Sequence, residues 1–145
     1  MELGWTIDPR ASHSRLARSG RCRIDDFLSP DTLQDVLAQI DRVPSWNLVT
    51  LLGGRHLDLD AAAMRDLPAQ KKREFEQHVE AGARNGFQYL YETYPVYDKW
   101  HGGVLTREAP AMAELFQLIN SDAFLDPMRD MLGTPDIGFA DAQLT

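Results

Sequence analysis

The sequence is poor in cysteine, in long apolar runs and in basic residues. One cysteine, Cys22, among 145 residues excludes an internal disulfide and the zinc sites that are built on paired cysteines. No stretch reaches the roughly 18 consecutive apolar residues of a membrane-spanning helix, and the N-terminus lacks the apolar core of a signal peptide. We therefore expect a soluble, cytoplasmic protein with no membrane partner.

The charge balance argues against a nucleic-acid partner. The chain has 15 Lys and Arg against 22 Asp and Glu, a net charge of −7, whereas binding to phosphates needs clustered basic residues. The arginines between positions 10 and 23 form the one basic patch, and a solvated helix face explains that patch better than a polyanion site does. A hydrophobic content of 43% is ordinary for a globular protein, so we expect a single domain over 1–145.

Proline and glycine mark the elements of the first half of the chain. Asp8-Pro9 and Gly20 delimit a predicted helix over Pro9–Ser19, and residues 21–28 alternate as a strand would. Ser29-Pro30 begins a second helix, with apolar residues at i, i+3, i+4 and i+7, namely Leu33, Val36, Leu37 and Ile40. Two runs of strand formers, 46–52 and 55–60, flank Gly53-Gly54 and predict a β-hairpin, followed by a helical turn at 61–66.

The pattern from Pro68 to Pro95 predicts one long helix around which the rest of the chain is arranged. Its apolar stripe predicts that the second half is more completely buried than the first. Gly82 and Gly86 lie one turn apart on the apolar side, and because each glycine costs about 1 kcal/mol in a helix, we expect another backbone to approach there.

The second half of the chain is predicted to contain a loop, two helices and a strand. Residues 96–106 form the loop, and the helices lie around Met112–Ile119 and 121–132, the second kinked at Pro127. Residues 137–145 alternate as a strand whose polar side would line a pocket. A half-buried strand at this position suggests a chain cut in the middle of a sheet, with an exposed edge through which two copies could form a homodimer.

Four stretches together resemble the bacterial, prolyl-4-hydroxylase-like branch of the Fe(II)/2-oxoglutarate-dependent dioxygenases. They are RCRIDDFLSPDTLQDVLAQI, AGARNGFQYLYETYP, LFQLINSDAFLDPMRDMLGTPDI and FADAQLT. The resemblance implies an α+β fold: a helical N-terminal support layer, mostly helical over these residues, with the first strands of a double-stranded β-helix, or jelly roll. It also implies the cofactors Fe(II) and 2-oxoglutarate, with ascorbate as an optional third, and hydroxylation of a prolyl or related residue in a peptide or protein.

The same resemblance limits what this chain contributes to catalysis. In the family, iron is held by a His-x-Asp pair and a distal His, which follow the segment that resembles FADAQLT. The resemblance therefore places the metal ligands beyond the matching stretches. Gln143 and Thr145 would lie on the pocket side of the first core strand, and they are the cofactor-binding residues that the resemblance suggests.

Two alternatives stay open from the sequence. His56-Leu57-Asp58 is itself a His-x-Asp triplet whose outer two residues would share one strand face, and His101 is a conceivable third iron ligand. Solvent-facing residues after a Gly-Gly turn are the simpler explanation of the triplet. The other alternative is a non-catalytic helical module that binds a protein partner. The aromatic residues between 89 and 100 could shape a groove or simply pack in the core.

Overall fold

The computed structural model describes residues 1–4 and 8–145, and it has a mixed α+β fold that is mostly helical. Within these residues the helices are α1 (Pro9–Ser19), α2 (Pro30–Ile40), α3 (Ala61–Arg65), α4 (Ala69–Asn85), α5 (Val96–His101), α6 (Leu105–Glu108), α7 (Pro110–Ile119) and α8 (Asp122–Leu132). The strands are β1 (Asn47–Leu52), β2 (Arg55–Asp60) and β3 (Leu90–Thr93). In the described residues no helix is both long enough and apolar enough to cross a membrane.

The chain divides into two compact units. Unit 1 comprises Met1–Arg42 and Val96–Ala142, and unit 2 comprises Val43–Pro95 and Gln143–Thr145. The prediction of a single domain over 1–145 stays a prediction.

Unit 1 is a helical assembly around α7. This helix contacts α2, α5, α6 and α8, and its buried residues are Met112, Ala113 and Phe116. Helix α1 packs against α8, where His13 Nδ1 donates a hydrogen bond of 2.8 Å to the carbonyl of Met131. The helices predicted over 9–19 and 30–40, around Met112–Ile119 and over 121–132 are confirmed. For α1, α2 and α7, Pro in the first turn is a local signal that does not depend on the rest of the fold.

Residues 21–28 and 96–106 of unit 1 do not form the predicted elements. Residues 21–28 form no strand, and only Leu28 makes an isolated bridge, to Leu3. The predicted loop over 96–106 instead contains α5 and the beginning of α6. Ring contacts explain why α5 forms. Tyr97 and Trp100 pack on Phe116 of α7, and this tertiary packing stabilises a short helix in a segment whose glycines, at 102 and 103, favour a loop.

Unit 2 contains an antiparallel sheet in the order β2-β1-β3, with α3 and α4 beside it. The hairpin prediction is confirmed, with Leu52 paired to Arg55 across Gly53-Gly54. Both glycines have positive φ, 57° and 76°, as a two-residue turn that matches the strand twist requires.

The long helix predicted from Pro68 to Pro95 is wrong in its second half. Helix α4 ends at Asn85, and residues 90–93 pair with β1 as strand β3. Val79 is the one buried residue of α4, so the prediction of a more deeply buried second half is also wrong. Leu90, Tyr91 and Tyr94 suit a strand as well as a helix, and pairing with β1 decides between them.

Candidate functional site

The two faces of the unit 2 sheet differ in chemistry. On one face, Leu48 and Leu90 line a cavity of about 220 Å³ together with Phe75 of α4 and Met64 of α3. We call this the helix-covered face. Its charged rim includes Glu92, whose carboxylate accepts a hydrogen bond of 2.7 Å from Arg65.

The opposite side, which we call the polar face, carries residues from every strand. Since partners across an antiparallel ladder have side chains on the same face, Asp58, Val49 and Tyr91 form one row across the three strands. The next row along contains Asp60, Asn47 and Thr93. His56 and Leu51 form the row on the other side, which Tyr89 joins through its hydroxyl, 2.6 Å from His56 Nδ1.

Three aromatic side chains follow one another along the polar face. Phe87, Tyr89 and Tyr91 alternate along an extended segment, with ring centroids 5.9 and 5.8 Å apart. Phe87 is 84% exposed and Tyr91 is 36% exposed, so this row, which we call the aromatic ladder, is open to solvent. The helix predicted from Pro68 to Pro95 includes Tyr89 and Tyr91, and its pattern does not distinguish them from core residues.

The backbone direction of β3 decides which of its edges is open. Leu51 exchanges hydrogen bonds with the side-chain amide of Gln88, so its N–H and C=O point toward β3. By alternation Val49 and Asn47 do the same, and their partners Tyr91 and Thr93 point back toward β1. The N–H and C=O groups of Leu90, Glu92 and Tyr94 therefore point outward.

The last residues of the chain lie along this outer edge. Tyr94 and Leu144 exchange two backbone hydrogen bonds, of 3.0 and 3.1 Å, in an antiparallel bridge. The strand predicted over 137–145 is thus reduced to one bridge at Leu144. Its alternation is nevertheless seen at the end, where Ala140, Ala142 and Leu144 are half-buried and Asp141, Gln143 and Thr145 are exposed.

This geometry brings most of the sequence-predicted site residues to one surface. Thr93 Oγ1 donates a hydrogen bond of 3.5 Å to Gln143 Oε1, which places Gln143 on the polar face with His56 and Asp58. Thr145 is exposed and shares that side of the extended segment by alternation. His101 belongs to unit 1, where its ring centroid lies 4.4 Å from that of Tyr97.

The residues of this surface do not fit an iron site by themselves. His56 and Asp58 share a face, as the triplet predicted, but among the described residues no group of three His, Cys, Asp or Glu side chains converges as metal ligands do. The interaction of His56 Nδ1 with the Tyr89 hydroxyl occupies one ring nitrogen.

Comparison with known proteins identifies no relative: no family model, no curated protein and no solved structure matches the chain.

Proposed function

We propose that this chain is the N-terminal support portion of a non-haem Fe(II)/2-oxoglutarate-dependent oxygenase of the prolyl-4-hydroxylase-like branch. The proposal rests on the four stretches that resemble that family. In this proposal, the α+β fold is a helical support layer with the first strands of a jelly roll. The substrate it assigns is a prolyl or related residue of a peptide or protein.

The Tyr94–Leu144 bridge is the structural observation that best supports this proposal. Leu144, in the stretch FADAQLT, makes an isolated antiparallel bridge to Tyr94 at the end of β3, on the edge of the sheet that faces away from β1. One face of this sheet is covered by helices. A helical layer behind a sheet, with a further strand at the free edge, agrees with the support layer and first core strand that the resemblance implies. A chain continuing in the same direction would pass Glu92 and Leu90, whose backbone groups point outward.

The roles of the residues follow from this arrangement. Gln143 and Thr145 would face the cofactor pocket from the first core strand, with the Gln143 amide oxygen held by the Thr93 hydroxyl. Bound Fe(II) with 2-oxoglutarate would supply the oxidising chemistry, and the proposal assigns none of the metal ligands to residues 1–145. In this proposal, the sheet and helices of residues 1–145 support the later strands that carry the metal ligands.

Anaerobic calorimetry with Fe(II) and 2-oxoglutarate tests the proposal. We expect no binding to residues 1–145, and binding to the product of the complete reading frame that encodes them. Gln143→Ala in that longer product should raise the Kd for 2-oxoglutarate about tenfold, the effect of losing one hydrogen bond to a charged ligand.

Two results would contradict the proposal. Fe(II) binding to residues 1–145 that is lost in His56→Ala would make His56 and Asp58 ligands, contrary to the alignment with the family. A reading frame that encodes no His-x-Asp pair and no distal His after position 145 would refute the proposed oxygenase activity.

The open aromatic ladder supports a second candidate function, a non-catalytic module that binds a protein partner. Exposed aromatic side chains in ring contact are typical of protein-binding surfaces, and Phe87 has most of its surface available. The same reading-frame experiment separates the two candidates, because a non-catalytic module needs no metal ligands.

A further inference from the structure

The polar face combines exposed aromatic rings with a carboxylate that has no counterion. Within the described residues, Asp58 makes no hydrogen bond and no ion pair. It lies in the same cross-strand row as Tyr91, two strand spacings away, which is roughly 10 Å between Cα atoms. Val49, which lies between them, is only 2% exposed, so a ligand contacts the two ends of this row and not its middle.

The opposite face provides a direct contrast. There Glu92 is paired with Arg65 at 2.7 Å, so the carboxylate has its cation within the chain. The remaining basic residues of unit 2 are either Arg55, which alternates onto that same face, or members of α4, which lies against it. The polar face carries Asp58 and Asp60 and none of the Lys or Arg residues of unit 2.

Ring geometry adds a second attraction for a positive charge. A cation placed over the face of an aromatic ring within about 6 Å of its centroid is stabilised by the ring quadrupole. In the aromatic ladder, neighbouring rings are 5.9 and 5.8 Å apart and contact each other, so a guanidinium would stack on the exposed face of one ring and not between two. Tyr89 is also fixed in place through His56.

We infer that the aromatic ladder and Asp58 form a binding surface for arginine side chains of a basic, extended segment of a partner protein. Arginine suits this surface because its planar guanidinium stacks on aromatic rings and also pairs with carboxylates, so successive arginines of one segment can contact the ladder and Asp58. The net charge of −7 favours the approach of such a segment from solution. This inference stands without the oxygenase proposal, since it involves neither iron nor 2-oxoglutarate.

The test is an NMR titration of the 145-residue protein with the peptide acetyl-Gly-Arg-Gly-Arg-Gly-amide. Its matched control replaces both arginines by citrulline, which keeps the shape and removes the charge. We expect amide shift changes centred on Asp58, Tyr89 and Tyr91 with the arginine peptide, and at least a fivefold weaker response with citrulline. Equal responses to the two peptides would overturn the inference.

Matched variants distinguish local recognition from general attraction by an acidic protein. Asp58→Asn and Glu92→Gln each remove one negative charge, one from the polar face and the other from the opposite face. We expect Asp58→Asn and Tyr91→Leu each to weaken binding about two- to fivefold, and Glu92→Gln to leave it unchanged. An equal loss in Asp58→Asn and Glu92→Gln would show that only net charge matters, and would refute a binding surface at Asp58.

Discussion

The side-chain amide of Gln88 pairs with the backbone of Leu51 as if it were a further residue of β3. Leu51 N–H donates to Gln88 Oε1 at 3.2 Å, and Gln88 Nε2 donates to the Leu51 carbonyl at 2.8 Å. The same Oε1 accepts from the N–H of Tyr89 at 2.8 Å. One side chain therefore extends the ladder beyond the beginning of β3 and fixes the connection from α4 to the sheet.

Replacement of this amide should destabilise unit 2. In Gln88→Met, which keeps the side-chain length, the N–H and C=O of Leu51 lose their partners, and we expect the free energy of unfolding to fall by about 2 kcal/mol. Urea denaturation followed by circular dichroism measures the change. Gln77→Met, at an exposed position of α4, is the control and should change stability by less than about 0.5 kcal/mol. Equal stability of the two variants would show that the Gln88 hydrogen bonds contribute nothing net.

The position of the Gln88 side-chain amide leaves no room for a side chain at Gly82. A Cβ at position 82 would lie 2.7 Å from Gln88 Nε2, which is too close for an unshifted side chain, whereas a Cβ at Gly86 meets nothing within 4 Å. The glycine pair was predicted to admit another backbone, but the group that approaches Gly82 is this side chain.

Gly82→Ala should therefore lose stability although alanine favours a helix by about 1 kcal/mol. We expect a net loss of about 1 kcal/mol, because the displaced amide releases Leu51, and little change for Gly86→Ala. In the double variant Gly82→Ala/Gln88→Met the two losses should not add, since both remove the same contact. Additive losses in urea denaturation would mean that Gly82 acts independently of Gln88.

Asp60 joins β2 to α3 through its side chain. Asp60 Oδ1 accepts a hydrogen bond of 2.7 Å from the N–H of Ala63, as a helix N-cap does. We expect Asp60→Ala to cost about 1 kcal/mol and Asp60→Asn, which retains the acceptor, to cost much less. Thermal unfolding of the wild type and the two variants measures the order of their stabilities. An Asn variant as unstable as the Ala variant would show that the charge of Asp60, and not its capping hydrogen bond, stabilises the protein.

The outer edge of β3 should allow self-association of the 145-residue protein. The backbone groups of Leu90 and Glu92 point away from β1, and an open edge of this kind pairs readily with another strand. Light scattering should show an apparent mass that rises with concentration. Leu90→Lys, which places a charge on that edge, should keep the protein monomeric, and a wild-type mass that stays monomeric at high concentration would contradict the prediction.

Local signals in the sequence were sufficient for much of the fold. The Pro-initiated helices α1, α2 and α7 and the hairpin at Gly53-Gly54 lie where the sequence predicts them. In each case the residues that begin or end the element are within a few positions of it, so the backbone conformation follows from steric and capping preferences alone. The face assignment of His56 and Asp58 followed from strand periodicity in the same way.

Only the tertiary structure decided the secondary structure of residues 86–106 and the composition of the polar face. Strand β3 forms because its segment pairs with β1, some 40 residues earlier in the chain, and α5 forms because its aromatic residues pack on α7. Likewise, Gln143 joins His56 and Asp58 through the Tyr94–Leu144 bridge, which local sequence cannot reveal. Periodicity fixes which side of an element a residue occupies, whereas long-range pairing determines which elements share that side.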